Sequence, residues 1–331
     1  MTMNILVIRR DNIGDLVCTL PTLAALRMHY RDAWIGMLVT RYNAEVLAGN
    51  PDIDEVFTYQ KSKHLAHGES RIGAMLARVG QLWRLRRKGL DLVVLPASGQ
   101  QASAQRMASL VGARRILTQD DVPPAVDALH EVQRTANILR ALNVSTASLP
   151  AARIVPRADR QAALRAAWGE APGLTLGVHI SARKPSQRWP ADRFAELLRT
   201  LHAQSPTMRF VLFWSPGDEN NPLHPGDDGK ARGLMAACAD LPLIACPTHT
   251  LGELIAGLSL VDGVLCSDGG HMHLAAALGK RIVALFGQSD AARWHPWAVP
   301  HRVVQPASHT VADVRVDEVR AALTALNMTH A

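Results

Sequence analysis

Val264–Gly279 reads VLCSDGGHMHLAAALG, and VALFGQSD follows at Val283–Asp290. The pattern predicts a strand, a tight glycine turn, a helix and a second strand. Val264, Leu265 and Cys266 form the short apolar run of a strand buried in a parallel sheet. Asp268, Gly269 and Gly270 punctuate it, and His271 to Leu278 continue as good helix formers. Two adjacent glycines allow close backbone approach and leave N–H groups of the first helical turn free for a phosphate or pyrophosphate. The same residues also suit a plain βα turn, since this is neither a Walker loop nor a dinucleotide fingerprint. The fold class that follows is α/β.

Working outward, the alternation of strand and helix covers the chain. Asn4–Ile8 is an apolar strand, Arg9–Asp15 (RRDNIGD) a polar turn, and Leu16, Leu20, Leu23 and Leu26 fall on one side of a helix. Asp15 thus lies at the C-terminal end of the first strand, the edge where open α/β sheets bind ligands. An acid at a helix start also serves as a cap, and the residues alone favour the cap. Further strands are expected at Trp34–Val39, in Asn50–Phe57 and at Leu90–Leu95, with a short helix at Tyr42–Leu47 and a helix at His130–Leu142. Gln60–Arg71 reads as a polar loop and Pro96–Gln101 as a turn. Ile72, Met75, Leu76, Val79, Leu82 and Trp83 recur at helical spacing, with Arg71, Arg78, Arg84, Arg86, Arg87 and Lys88 on or beyond the other face. The spacing favours a core-facing helix with a solvated basic side; a basic amphipathic helix also suits an anionic membrane.

Pro150, Pro156 and Pro172 surround one Ala/Arg-rich helix and place a boundary, giving domains 1–158 and 159–331. The second half restarts the alternation: strand Thr175–Ile180, basic loop Ser181–Pro190, helix Ala191–His202, strand Phe210–Trp214. Asn221–Lys230 reads as an exposed polar insertion. A strand around Leu243–Cys246 and a helix at Thr250–Leu258 precede the opening stretch, and the tail from Val311 to Leu326 is helical.

The 331 residues suffice for two cores, and 48% apolar with 20% charged residues is an ordinary globular balance. A formal charge of +7 favours an anionic partner. Nucleic acid is disfavoured, because the basic residues are not interleaved with stacking aromatics. Cys18, Cys238, Cys246 and Cys266 lack C-x-x-C spacing and read as reduced, buried thiols. With no leader-like start and no bilayer-length apolar run, the expected location is cytoplasmic.

The opening stretch, with RWHPW at Arg293–Trp297, resembles the donor signature of glycosyltransferase family 9, the heptosyltransferase family of lipopolysaccharide core assembly. That signature runs D-S-G-P-M-H-L-A-A-A-L-G, A-L-F-G-P-T-D and W-G-P-W. Here Gly269 replaces the serine, His271 and Gln288 replace prolines, and His295 replaces a glycine. The start, Ile5–Leu23, resembles the family's opening, whose Gly-Asp holds the general base. The resemblance implies a GT-B architecture: two Rossmann-like domains, an active site in the cleft between them, and a C-terminal helix packing back on the first domain. It implies inverting transfer of a heptose from ADP-heptose to an acidic, lipid-linked saccharide acceptor, with peripheral contact at the cytoplasmic face of the inner membrane.

On that reading Asp15 is the base, and Arg9, Asn12 and Gly14 meet the acceptor. Lys184, Arg188, Asp218, Asp268, Gly269, Gly270, Met272 and His273 meet the donor. The family's lysine two residues before Trp-Pro is here Gln187, so Lys184, Arg183 or Arg188 would supply the cation. No metal or other cofactor is expected: no D-x-D motif suggests one, and His271 and His273, two apart on a helix, do not share a face. Other readings are a GT-B enzyme using UDP or GDP sugars, and a non-catalytic nucleotide-sugar-binding protein.

Overall fold

The computed structural model describes residues 3–59, 71–97, 99, 102–126, 129–221 and 225–329. The expected polar loop over residues 60–70 lies outside them, as do 222–224 and part of the turn after Leu95. The chain divides into two compact units, Met1–Val155 and Pro156–Ala331.

The first unit holds β1 (Asn4–Ile8), α1 (Ile13–His29), β2 (Trp34–Thr40), β3 (Glu55–Tyr59), α2 (Arg71–Lys88), β4 (Leu92–Leu95), α3 (Ala102–Val111), β5 (Arg115–Thr118) and α4 (Glu131–Ala136). Its sheet has the order β3-β2-β1-β4-β5, with every pairing parallel. Ile5 to Ile8 are fully buried, as strands covered by helices on both faces require. The strand order reverses between β1 and β4, so the turn after β1 opens at a switch point.

Two expectations change here. The helix expected over His130–Leu142 is α4 followed by a 3₁₀ turn at Asn137–Leu142, with His130 as its cap. More consequential, α2 is rotated from the register its spacing suggested. Leu85 is buried and Leu82 partly so, whereas Met75, Leu76, Val79 and Trp83 are 59%, 63%, 58% and 56% exposed. Residues 75, 79 and 83 repeat at i, i+4 and i+8, so the apolar stripe is real. It faces away from the core.

The second unit holds α5 (Ala158–Trp168), β6 (Thr175–His179), α6 (Ala191–Gln204), β7 (Arg209–Trp214), α7 (Asp228–Ala237), β8 (Leu243–Pro247), α8 (Leu251–Ser259), β9 (Gly263–Ser267), α9 (Gly270–Ala277), β10 (Arg281–Leu285), α10 (Ala291–Trp294), β11 (His301–Val304) and α11 (Val316–Ala325). All strands are parallel in the order β11-β10-β9-β6-β7-β8, and the switch point lies between β6 and β9. Helix α11 packs on α6, β10 and β11, with Val319 and Leu323 in the core. The segment read as an exposed insertion is not uniformly so. Asp227 is buried, and residues 228–230 open α7.

Candidate active site

At the first switch point, the polar turn after β1 bends back into α1. Asn12 is the N-cap and Asp15 the third helical residue. The Asp15 carboxylate accepts from the Asn12 backbone N–H and side-chain amide through Oδ2, both at 3.2 Å. Its other oxygen accepts from Arg9 Nη2 at 3.0 Å. The capping geometry is therefore present. Arg9 is buried, and its guanidinium also lies 3.1 Å from Asp11 and 3.5 Å from Glu131. Glu131, on α4, was not singled out from the sequence; the pairing spans 122 residues. Arg9 Nη1 is buried without a hydrogen-bond partner among the described residues. Such a donor is costly unless something accepts from it. Arg9, Asn12, Gly14 and Asp15 thus share one turn at the sheet's ligand edge.

At the second switch point, Asp268 follows β9 and Gly269 caps α9 in extended conformation. The N–H groups of Gly269 and Gly270 have no acceptor among the described residues. Lys184 and Arg183 are exposed on the loop after β6, and Arg188 donates from Nε to the Ala182 carbonyl at 3.0 Å. Gln187 explains its own presence. Its amide nitrogen donates to Asp268 (3.2 Å) and Ser289 (2.8 Å), and its oxygen accepts from Gly287 N–H (2.9 Å). A lysine has no acceptor to offer Gly287. The Gln187 contacts tie the loop after β6 to the turn after β9. Met272 and His273 are buried, His273 against the Trp294 edge. Asp218 lies in the turn after β7, exposed, accepting from Asn220.

Two groups that sequence reasoning passed over complete the site. His179, the last residue of β6, is buried and stacks on His271, with ring centroids 3.8 Å apart and planes at 14°. His271 Nε2 lies 2.8 Å from the Ser267 carbonyl. Burial holds His179 well below the usual imidazole range, helped by His271 and Lys230. Loss of hydration pushes His271 down to about 4, against the pull of the Ser267 carbonyl and Asp268. Lys230, on α7, donates to the Ile180 carbonyl (3.1 Å) and the Trp189 carbonyl (2.7 Å), clamping both ends of the basic loop. Desolvation lowers its ammonium to about 8. Nothing in the local pattern marked these residues, because their partners are distant in sequence.

Among the described residues, no group of three or more His, Cys, Asp or Glu is placed to hold a metal ion. All four cysteines are free and buried. No described helix is long and apolar enough to cross a membrane.

Two parallel Rossmann-like sheets, each with polar residues gathered at its switch point, define the class: an α/β protein of the GT-B kind. The model of glycosyltransferase family 9 (heptosyltransferase) matches residues 95–319, and the chain belongs to that family. It is an enzyme, a glycosyltransferase. Lipopolysaccharide heptosyltransferase 2 of Salmonella typhimurium is 25% identical over 334 residues, covering 92% of this chain and 88% of its own. Lipopolysaccharide heptosyltransferase 3 of Escherichia coli is 23% identical, covering 86% and 84%. Among solved structures, the family 9 glycosyl transferase of Veillonella parvula has a TM-score of 0.80 at 18% identity, covering 98% of this chain and 97% of that one. An E. coli heptosyltransferase solved with ADP has a TM-score of 0.76 at 17% identity, covering 98% and 100%.

Proposed function

We propose that this protein transfers a heptose from ADP-heptose to a hydroxyl of a lipopolysaccharide-core-type acceptor, by a single inverting displacement that uses no metal. The observation that carries the reading is the pair of unengaged N–H groups at Gly269 and Gly270, set at a switch point where a helix begins. That arrangement suits a diphosphate. The names of the curated relatives favour a heptose and a lipopolysaccharide acceptor. A further E. coli heptosyltransferase structure, with ADP-2-deoxy-2-fluoro heptose, favours the ADP donor.

In this mechanism Asp15 takes the proton of the acceptor hydroxyl as its oxygen attacks the anomeric carbon. The new C–O bond forms on the face opposite the departing diphosphate, which leaves as ADP. The glycine N–H groups, with Lys184 and Arg188, stabilise the charge that builds on the leaving oxygen. Asp268, Met272 and His273 shape the sugar end of the donor pocket, and Asp218 holds the nucleoside. Arg9, Asn12 and Gly14 line the acceptor side, with the buried Arg9 donor as the strongest candidate contact.

Thermal stability tests the donor. A ligand at 100 times its dissociation constant adds about 2.7 kcal/mol, so ADP is expected to raise the melting temperature where UDP and GDP do not. A UDP or GDP preference would replace the donor. Silence from all three would favour a protein that has lost transfer.

A lipid-linked acceptor is met at a membrane, and α2 offers a surface for it at the cytoplasmic face. Its exposed apolar stripe is bordered by Arg84, Arg87 and Lys88, with the Arg87 guanidinium 4.3 Å from the Trp83 ring centre. Apolar residues beside cations suit an anionic lipid surface. Sedimentation with phosphatidylglycerol vesicles is expected, and much less with phosphatidylcholine. Leu76→Asp with Val79→Asp is expected to weaken that binding at least tenfold, since each side chain withdrawn from lipid loses about 1.5 kcal/mol or more. Equal sedimentation of variant and wild type would clear α2 of the role.

A further inference from the structure

His271 stands where a side chain at position 269 would stand. A Cβ built on Gly269 would lie 2.7 Å from His271 Cε1 and 3.1 Å from its Nδ1. A serine there, as in the family's usual signature, would force this ring out of the position it holds. The two departures from the signature are therefore one exchange. An imidazole delivered from two residues along fills the volume of the missing hydroxymethyl group.

The exchange alters chemistry as well as shape. The neighbour of His271 Nε2 is a carbonyl oxygen, which only accepts, so Nε2 carries the proton and Nδ1 is the bare nitrogen. A serine hydroxyl can donate to a phosphate oxygen. A bare nitrogen beside the same oxygen repels it. Yet the adjoining N–H groups of Gly269 and Gly270 are unengaged, and Gln187 stands where the family signature has a cation. Relative to that signature, positions 187 and 269 are one positive charge and one donor short, and the cations left to the site are Lys184 and Arg188 on the loop after β6.

We propose that donor binding here is proton-coupled: a nucleoside diphosphate seated on Gly269 and Gly270 draws one proton onto Nδ1 of His271, and the imidazolium then donates to the phosphate. This rests on the donor-site reading above. The proton comes from solvent and returns there when the nucleotide leaves; no other bond changes. His179, facing the ring from β6 with Lys230 near it, and His273 on α9 oppose the added charge, while Asp268 favours it. The N-terminal end of α9 also opposes a cation. Burial first, and the opposing charges after it, keep the ring neutral in the free protein, and only an anion tips the balance.

The sign follows. A group titrating near 4 when free and higher when bound makes affinity rise as pH falls through the bound-state value, by up to about tenfold per pH unit for one coupled proton. Calorimetry with ADP at pH 7, in buffers of differing ionisation enthalpy, reads the uptake directly. The reference is Gly269→Ser/His271→Pro, which restores the family pair, so that the proton ADP itself binds cancels in the difference. Wild type is expected to take up at least about half a proton more, and from pH 8 to 6 its affinity is expected to gain at least about tenfold more than the variant's. His271→Asn, which keeps a planar polar group without a titrating nitrogen, is expected to behave as the double variant and serves if that one fails to fold. Equal uptake in wild type and either variant, with ADP bound, overturns the coupling and leaves the donor reading standing. Absence of ADP binding to wild type at every pH overturns both.

Discussion

Asp15→Asn is expected to lower turnover by about 10³-fold while leaving the thermal shift by ADP unchanged. The carboxylate is held on both sides, by Arg9 at 3.0 Å and by the Asn12 N–H and amide at 3.2 Å. Oδ2 accepts twice and Oδ1 once, which leaves Oδ1 a second lone pair, so these bonds orient the group without exhausting it. An amide at 15 would still cap the helix through its oxygen, at a stability cost on the order of 1 kcal/mol or less. It could not take a proton, and a positioned general base is worth roughly 10² to 10⁴ in rate. The two roles the sequence left in competition separate cleanly. Near-normal turnover in a slightly less stable variant would leave Asp15 as a cap alone. A loss of turnover with intact ADP binding would place it at the reaction, and measuring both on one preparation makes the comparison internal.

What the sequence disclosed, and what it withheld, divides by range. Period and punctuation located β1, β6, β9 and the glycine turn, because a strand buried on both faces is an unbroken apolar run and a glycine pair interrupts it. Rotation about a helix axis was another matter. In α2 the apolar residues at 75, 79 and 83 form a stripe, and periodicity says that they share a face without saying what the face meets. Long-range polar contacts were invisible. Gln187 reaches Ser289 across 102 positions, and Lys230 reaches Ile180 across 50. Read alone, Gln187 looked like a missing cation. In the fold it is a three-bonded strut that lysine could not replace. The Gly269–His271 exchange was also hidden, although both residues stood out singly, since only the ring's position shows that the two changes meet in one volume.

The same strut sets the second large expectation. Gly287→Ala is expected to destabilise the protein by about 3 kcal/mol, at the upper end of what overpacking normally costs. The residue's backbone is not left-handed, so glycine is required there by contact and not by conformation. A Cβ would meet the Ser186 carbonyl oxygen at 2.2 Å and its carbon at 2.9 Å, with the His309 oxygen at 3.1 Å. These are backbone atoms, so no side-chain rotation relieves the clash. Relief requires the loop after β6 to move from the turn after β10. That movement strains the bond from Gly287 N–H to Gln187 and the one from Gln305 to the Gly287 carbonyl. Gln187 in turn would loosen its hold on Asp268. For a unit of this size, about 3 kcal/mol corresponds to a melting transition lower by roughly 6–12 °C. Since the disturbed bonds run to the turn that presents Gly269 and Gly270, stabilisation by ADP is expected to fall as well, with its midpoint moved to higher ADP concentration. A variant melting within about 2 °C of wild type, with ADP stabilisation intact, would mean that the loop accommodates a Cβ at 287 at little cost, and that the glycine of the ALFG segment serves no packing purpose.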